Sequence, residues 1–152
     1  MKLLIVSDVH GDTDSLSDTV SLERPDTVIF CGDGVRDVDF VSHRFPAVGF
    51  ASVAGNCDIF SDAPVSLSLK YGAASIFVTH GHKYMAKQTD SVMLAAAARA
   101  GANILLYGHT HRAVYSVKNG IHVLNPGSLA YGRSYGVITT DTNGFECELK
   151  RI

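Results

Sequence analysis

An α/β fold, with two mixed β-sheets packed face to face and helices outside, is the architecture this sequence predicts. Two patterns point to it. The first third of the chain alternates short apolar runs with amphipathic ones in β-α-β-α-β order, and the second half carries a succession of hairpin signals. Size is the third observation: 152 residues, 46 % apolar and 18 % charged, supply one domain over residues 1–152 with a substantial core.

Lys2 to Val6 is a short apolar run ending in a polar turn, as a buried strand reads. From Asp14 to Glu23, Leu16, Val20 and Leu22 fall at helical spacing, and Pro25 closes the helix. Thr27 to Cys31 reads as a second buried strand. Val35 to Phe45 follows as a second helix with Val38, Val41 and Phe45 inward, and Ala47 to Val53 as a third strand. Such an opening predicts parallel strands with polar loops at their carboxyl ends, where open α/β sheets place their sites. Val65 to Lys70 alternates, Tyr71-Gly72 turns, and Ser75 to Val78 completes a hairpin. Thr89 to Ala100 is the strongest helical pattern, stopped by Gly101. Ile104 to Tyr107 is another buried strand. Ala113 to Val117 and Ile121 to Leu124 flank Asn119-Gly120, and Tyr135 to Thr140 and Phe145 to Lys150 flank Asp141-Thr142-Asn143-Gly144, as two further hairpins.

The composition excludes several function classes. Lys and Arg number 13 against 15 Asp and Glu, a formal charge of −2, so no basic coat for long nucleic acid is indicated. No apolar run approaches the roughly 20 residues of a membrane span, and Met1 to Val6 is too short for a signal-peptide core. Cys31, Cys57 and Cys147 are an odd, sparse set, poor material for a disulfide framework. A soluble cytoplasmic protein is the expectation.

The chemistry stands at the strand ends. Asp8-Val9-His10-Gly11 follows the first strand, Gly32-Asp33-Gly34 the second and Gly55-Asn56-Cys57-Asp58 the third. The strand ending at Thr79 delivers His80-Gly81-His82, and the one ending at Tyr107 delivers Gly108-His109-Thr110-His111. Singly, each has an ordinary reading: Asp8 as a helix cap, Gly32-Asp33-Gly34 as a turn, His10 as a hydrogen-bonded loop residue. Jointly they place Asp8, His10, Asp33, Asn56, His80, His109 and His111 at five successive strand ends. Seven N/O donors exceed what one ion with an open position takes, and suit two ions about 3.5–4 Å apart that share a carboxylate. A thiolate-free set fits Mn, Fe, Zn, Ni or Co. Two divalent ions with Asp8, Asp33 and a shared hydroxide leave a net charge of about +1, which favours an anionic, phosphoryl-type ligand. A metallo-β-lactamase-like site is excluded because His111 is followed by Arg112-Ala113-Val114, and an amidohydrolase barrel needs about 250 residues.

D-x-H, G-D, G-N-x-D, H-G-H and G-H-x-H in that order resemble the motif series of the calcineurin-like metallophosphoesterases, from Asp8 to Asn125-Pro126-Gly127-Ser128. The small size and the Gly55-Asn56-Cys57-Asp58 version look like the compact prokaryotic phosphodiesterase branch, the YfcE type. The resemblance implies a four-layer α/β-β/α sandwich, the metallo-dependent phosphatase fold. It also implies hydrolysis of a small phosphodiester by a hydroxide activated at a dinuclear centre, with Mn²⁺ the first candidate. By the same resemblance Asp8, His10 and His111 hold one ion, Asn56, His80 and His109 the other, and Asp33 bridges. Asp33, Asn56 and His82 are then the catalytic candidates, His82 as a group beside the metals or the substrate.

Two positions depart from many relatives. Cys57 stands where histidine is proposed to protonate the leaving group or bind the phosphate. It reads either as a proton donor or, preferably, as a small residue packed under the site. Ala54 stands where arginine is common, so phosphate contacts pass to Asp58, His82 or Arg133, the last more simply a surface residue. Two other readings accompany the diesterase. One is a phosphomonoesterase. The other is a scaffold module like the retromer subunit of this fold, which replaces the bridging aspartate and the site asparagine that this chain keeps as Asp33 and Asn56. Tyr131, Tyr135 and the last hairpin cover either the core or a homodimer interface.

Overall fold

In the computed structural model, which describes residues 1–152, the elements run in chain order as β1 (Lys2–Val6), α1 (Thr13–Glu23), β2 (Thr27–Phe30), α2 (Val35–Ser42) and β3 (Gly49–Ser52). They continue as β4 (Ser66–Tyr71), β5 (Ala74–Thr79), α3 (Ser91–Arg99), β6 (Ile104–Leu106), β7 (Ala113–Lys118), β8 (Ile121–Pro126), β9 (Ser134–Thr140) and β10 (Phe145–Arg151). The strands form two five-stranded mixed sheets, ordered β10-β9-β1-β2-β3 and β4-β5-β6-β8-β7. In the first, β1, β2 and β3 are parallel; in the second, β5, β6 and β8 are parallel. Each parallel core is flanked by antiparallel strands.

Strand periodicity assigns the layers. Leu4 and Val6 of β1, with Val28 and Phe30 of β2, face Leu16 and Val20 of α1 and Val38 and Val41 of α2. Their alternates Leu3, Ile5 and Ile29 face Ile76, Val78, Ile104, Leu106 and Leu124 of the second sheet. On that sheet's other side Phe77, Leu105 and Val123 pack on Met93, Ala96 and Ala97 of α3. Helices, sheet, sheet and helix therefore make four layers. Both faces of the central strands are buried, which is why they read as unbroken apolar runs. No helix is long and apolar enough to cross a membrane.

Several element ends differ from the sequence reading. Helix α2 stops at Ser42 instead of Phe45, because Pro46 disfavours helical backbone at the residue before it. Phe45 still packs on the core from beyond the helix. Helix α3 begins at Ser91, where the Thr89 Oγ1 accepts the Ser91 N–H and takes a capping role. Strand β3 is confined to Gly49–Ser52, with Pro46 and Ala47 outside the ladder.

Tyr135 belongs to the core: its hydroxyl donates to Glu23 Oε1 at 2.9 Å. Glu23 closes α1, where a negative charge opposes the helix dipole, and it is neutralised by Lys2 at 2.6 Å and Lys150 at 3.1 Å. Burial alone would raise the Glu23 carboxyl; its bonds to Lys2, Tyr135 and Lys150 outweigh that and lower it to about 2. A depressed folded value stabilises the fold above the unfolded carboxylate range and loses that contribution as pH falls toward 2. With allowance for solvent around the half-exposed lysines, the contribution is on the order of 2 kcal/mol. Glu23→Gln is therefore expected to be less stable than wild type in urea unfolding near pH 6. The gap should narrow by about half or more at pH 3. A gap independent of pH would contradict this account.

Candidate metal centre

The carboxyl ends of β1, β2, β3, β5 and β6 open on one edge of the sandwich, and the seven donors read from the sequence meet there. Asp8 is fully buried. One of its oxygens lies 3.0 Å from His111 Nε2 and 3.7 Å from His10 Nε2. Asp33, also buried, lies 3.3 Å from His80 Nε2, which is 3.1 Å from Asn56 Oδ1. The His109 ring is centred 5.0 Å from that of His80. Ligand atoms of Asp8, His10 and His111 form one compact cluster and those of Asp8, Asp33 and His80 a second, so Asp8 links the two halves.

Hydrogen bonds aim these donors. His80 Nδ1 lies 2.7 Å from the Cys31 carbonyl, which accepts its proton and leaves Nε2 facing the cluster. Asp8 accepts from Ser7 Oγ at 2.6 Å and from the His109 N–H at 3.2 Å. Asp33 accepts the Cys57 N–H at 2.8 Å. Buried Asn125 donates to the Gly108 carbonyl and to Thr110 Oγ1, holding the loop that carries His109 and His111. Ser128 Oγ donates to the Asp8 carbonyl.

The backbone itself is bent to this purpose. Asp8 (φ 53°), His10 (43°), Asp33 (63°), His109 (66°) and His111 (58°) all adopt left-handed conformations. Each costs about 1–3 kcal/mol for a non-glycine residue, and such outliers persist where a site needs them. The neighbouring glycines serve a different end. A Cβ at Gly55 would overlap Asp33, and one at Gly108 would overlap Ser7, so these two positions let the loops approach closely enough to meet.

Burial favours the neutral form of Asp33, yet its bonds to His80 and the Cys57 N–H hold its carboxyl well below the usual range. Burial opposes protonation of His80 and is outweighed by Asp33, which raises it. Burial and the neighbouring His80 lower His82 and His109. His10 Nε2 is buried with no hydrogen-bond partner. Among buried polar atoms that is a rare condition, and in a ring of carboxylate and imidazole donors a divalent cation is the partner that satisfies it.

Several residues stand differently from their sequence reading. Cys57 is exposed, not packed under the site: it stands at the site's solvent-facing side. Its sulfur lies within the cluster of His10 and Asp33 ligand atoms, and burial together with Asp33 raises its thiol. Asp58 is not free to meet substrate: its carboxylate accepts the N–H groups of Asp33, Gly34, Val35 and Gly55 at 2.8–3.0 Å. Arg133 is an exposed surface residue. His82 stands with its ring 5.4 Å from His80, and its Nδ1 is buried without a partner. Tyr131 is unanticipated at the site. It is 70 % exposed, with its ring 5.5 Å from His10 and 5.6 Å from His111. Ser7, immediately before Asp8, and Asn125 and Ser128, in the turn already noted, were the available signals for the supporting shell.

The calcineurin-like phosphoesterase superfamily domain matches residues 1–143. The chain belongs to that superfamily. This phosphoesterase domain is 34 % identical over 151 residues to "Probable metallophosphoesterase YsnB" of Bacillus subtilis, covering 94 % of the chain and 86 % of YsnB. A phosphodiesterase of Methanocaldococcus jannaschii is 28 % identical over 149 residues, with 84 % and 83 % covered. The crystal structure of a predicted phosphoesterase from Streptococcus pneumoniae TIGR4 superposes with a TM-score of 0.84 at 26 % identity, over 99 % of this domain and 88 % of that chain. The fold alone is shared with vacuolar protein sorting 29 of Entamoeba histolytica, at 21 % identity and a TM-score of 0.77 over 99 % of each chain. The domain is a metal-binding phosphoesterase.

Proposed function

We propose that this phosphoesterase hydrolyses phosphodiesters at a dinuclear metal centre, with Mn²⁺ as its first-choice ion. The observation that carries the reading is the meeting of seven oxygen and nitrogen donors from five strand ends, with Asp33 ligand atoms clustered beside His10 on one side and beside Asp8 and His80 on the other. In this reading Asp8, His10 and His111 hold one ion, Asn56, His80 and His109 hold the other, and Asp33 is shared. Two such ions supply Lewis-acid polarisation of the phosphoryl oxygens and activation of a water nucleophile.

The chain's own contribution is orientation. The Cys31 carbonyl sets the His80 tautomer, Ser7 and the His109 N–H fix Asp8, and the Cys57 N–H fixes Asp33. His82, whose Nδ1 lacks a protein partner, is the side chain left to meet an ester oxygen of the substrate. The diester preference draws support from the named phosphodiesterase relative, and the absence of imidazole at position 57 bears on the leaving group. A thiol is a poorer proton donor to an alkoxide, so good leaving groups are favoured. Cytoplasmic residence is part of the same reading, since all three cysteines are free.

Chelator-stripped protein assayed on bis-p-nitrophenyl phosphate and on the monoester, with and without Mn²⁺, tests this directly. Diester turnover that returns only with metal is expected. A monoester preference would make the domain a phosphomonoesterase, and metal binding without turnover of either would favour the scaffold reading.

A further inference from the structure

A cleft of about 320 Å³ opens beside the candidate centre. His10 and Asp33 of the candidate centre and the neighbouring Cys57 line it, together with Arg36 of α2 and Ile59 and Phe60 of the β3–β4 loop. Ile59 is 79 % and Phe60 87 % exposed, and neither joins any of the three cores. Leaving two large apolar side chains in water forgoes the burial that stabilises such residues elsewhere. Arg36 makes no ion pair with any carboxylate. The nearby carboxylates are already engaged: Asp37 accepts the Gly11 N–H at 2.8 Å, and Asp58 accepts four backbone N–H groups.

We infer that this cleft seats a heteroaromatic base, so that the substrate is a nucleotide-type phosphodiester. The inference rests on the phosphodiesterase reading above. A phenyl ring and a guanidinium each offer a flat face on which a base stacks, and every base has such a face. An acyl chain would need a continuous apolar groove, whereas this cleft interleaves Val35, Ile59 and Phe60 with charged and polar side chains. Its size suits one ring system and not a polymer.

Calorimetric titration of Mn²⁺-loaded protein with adenosine 5′-monophosphate, methyl phosphate and octyl phosphate separates the cases. All three present the same phosphate; only the first adds a base. The nucleotide is expected to bind about tenfold tighter than methyl phosphate, the increment that stacking of one base supplies. In Phe60→Ala, and to a lesser degree Arg36→Ala, that ratio should fall toward one. Both residues are exposed, so neither variant threatens folding. A wild-type ratio near one, a ratio unchanged in Phe60→Ala, or octyl phosphate binding tightest would each overturn the inference. The two readings fail separately. Loss of diester turnover with the ratio intact would count against the phosphodiesterase and leave the base site standing; turnover with a ratio near one would do the reverse.

Discussion

Asp33→Asn is expected to lower Mn²⁺-supported diester turnover by at least about 100-fold, with a smaller cost to the apo fold, which the depressed Asp33 carboxyl also stabilises. Changes in residues that merely orient ligands cost about 10–100-fold, and a shared carboxylate acts on both halves of the centre at once. Asparagine is isosteric and keeps an oxygen for the Cys57 N–H, which Asp33 now accepts at 2.8 Å. It removes the negative charge beside His80 and the second ligating oxygen. The readouts are kcat/KM with added Mn²⁺ and the melting temperature without it. Full activity in this variant would show that Asp33 does not serve two ions.

Asp58→Ala is expected to act quite differently. It removes the acceptor for four N–H groups, three at the start of α2 and one at Gly55, where the loops after β2 and β3 meet. A hydrogen bond to a charged group contributes about 1.5–3 kcal/mol, and four on one carboxylate are not additive, so a loss of about 3 kcal/mol is expected. Because Asp33 and Asn56 sit on those loops, Mn²⁺ affinity should fall at least about tenfold. Urea unfolding and metal titration measure the two effects. A raised KM with unchanged stability and metal affinity would instead return Asp58 to the substrate-binding role suggested by the sequence.

The contrast between Asp33 and Asp58 shows what was legible in the chain. The candidate ligands could be read because each of five apolar strands ends in a motif that joins Asp, Asn or His to glycine, a local signal repeated five times. Face-to-face sheets with helices outside followed from the same runs and the later hairpins, as unbroken apolar strands must be covered on both faces. Partners distant in sequence could not be read. Asp58 reaches back 25 residues to Asp33, and His80 is oriented by a carbonyl 49 residues away. Cys57 looked like a core residue by its chemistry, yet it stands at the site's solvent-facing side. The left-handed backbone at Asp8, His10, Asp33, His109 and His111 left no trace in composition: glycine stands beside His10, Asp33 and His109 and drew the expectation of turning, and Asp8 and His111 have no glycine neighbour. The early end of α2, by contrast, was written in Pro46. Phe60 and Ile59, outside any apolar period, carry no sequence signal that separates a loop residue from a cleft wall.

The number of ions bound tests the central claim most directly. Stripped protein equilibrated with Mn²⁺ and analysed for metal should hold two ions per chain, and Asp33→Asn one or fewer. Two ions in both proteins would show that Asp33 is not shared, and a single ion in wild type would contradict the dinuclear centre itself.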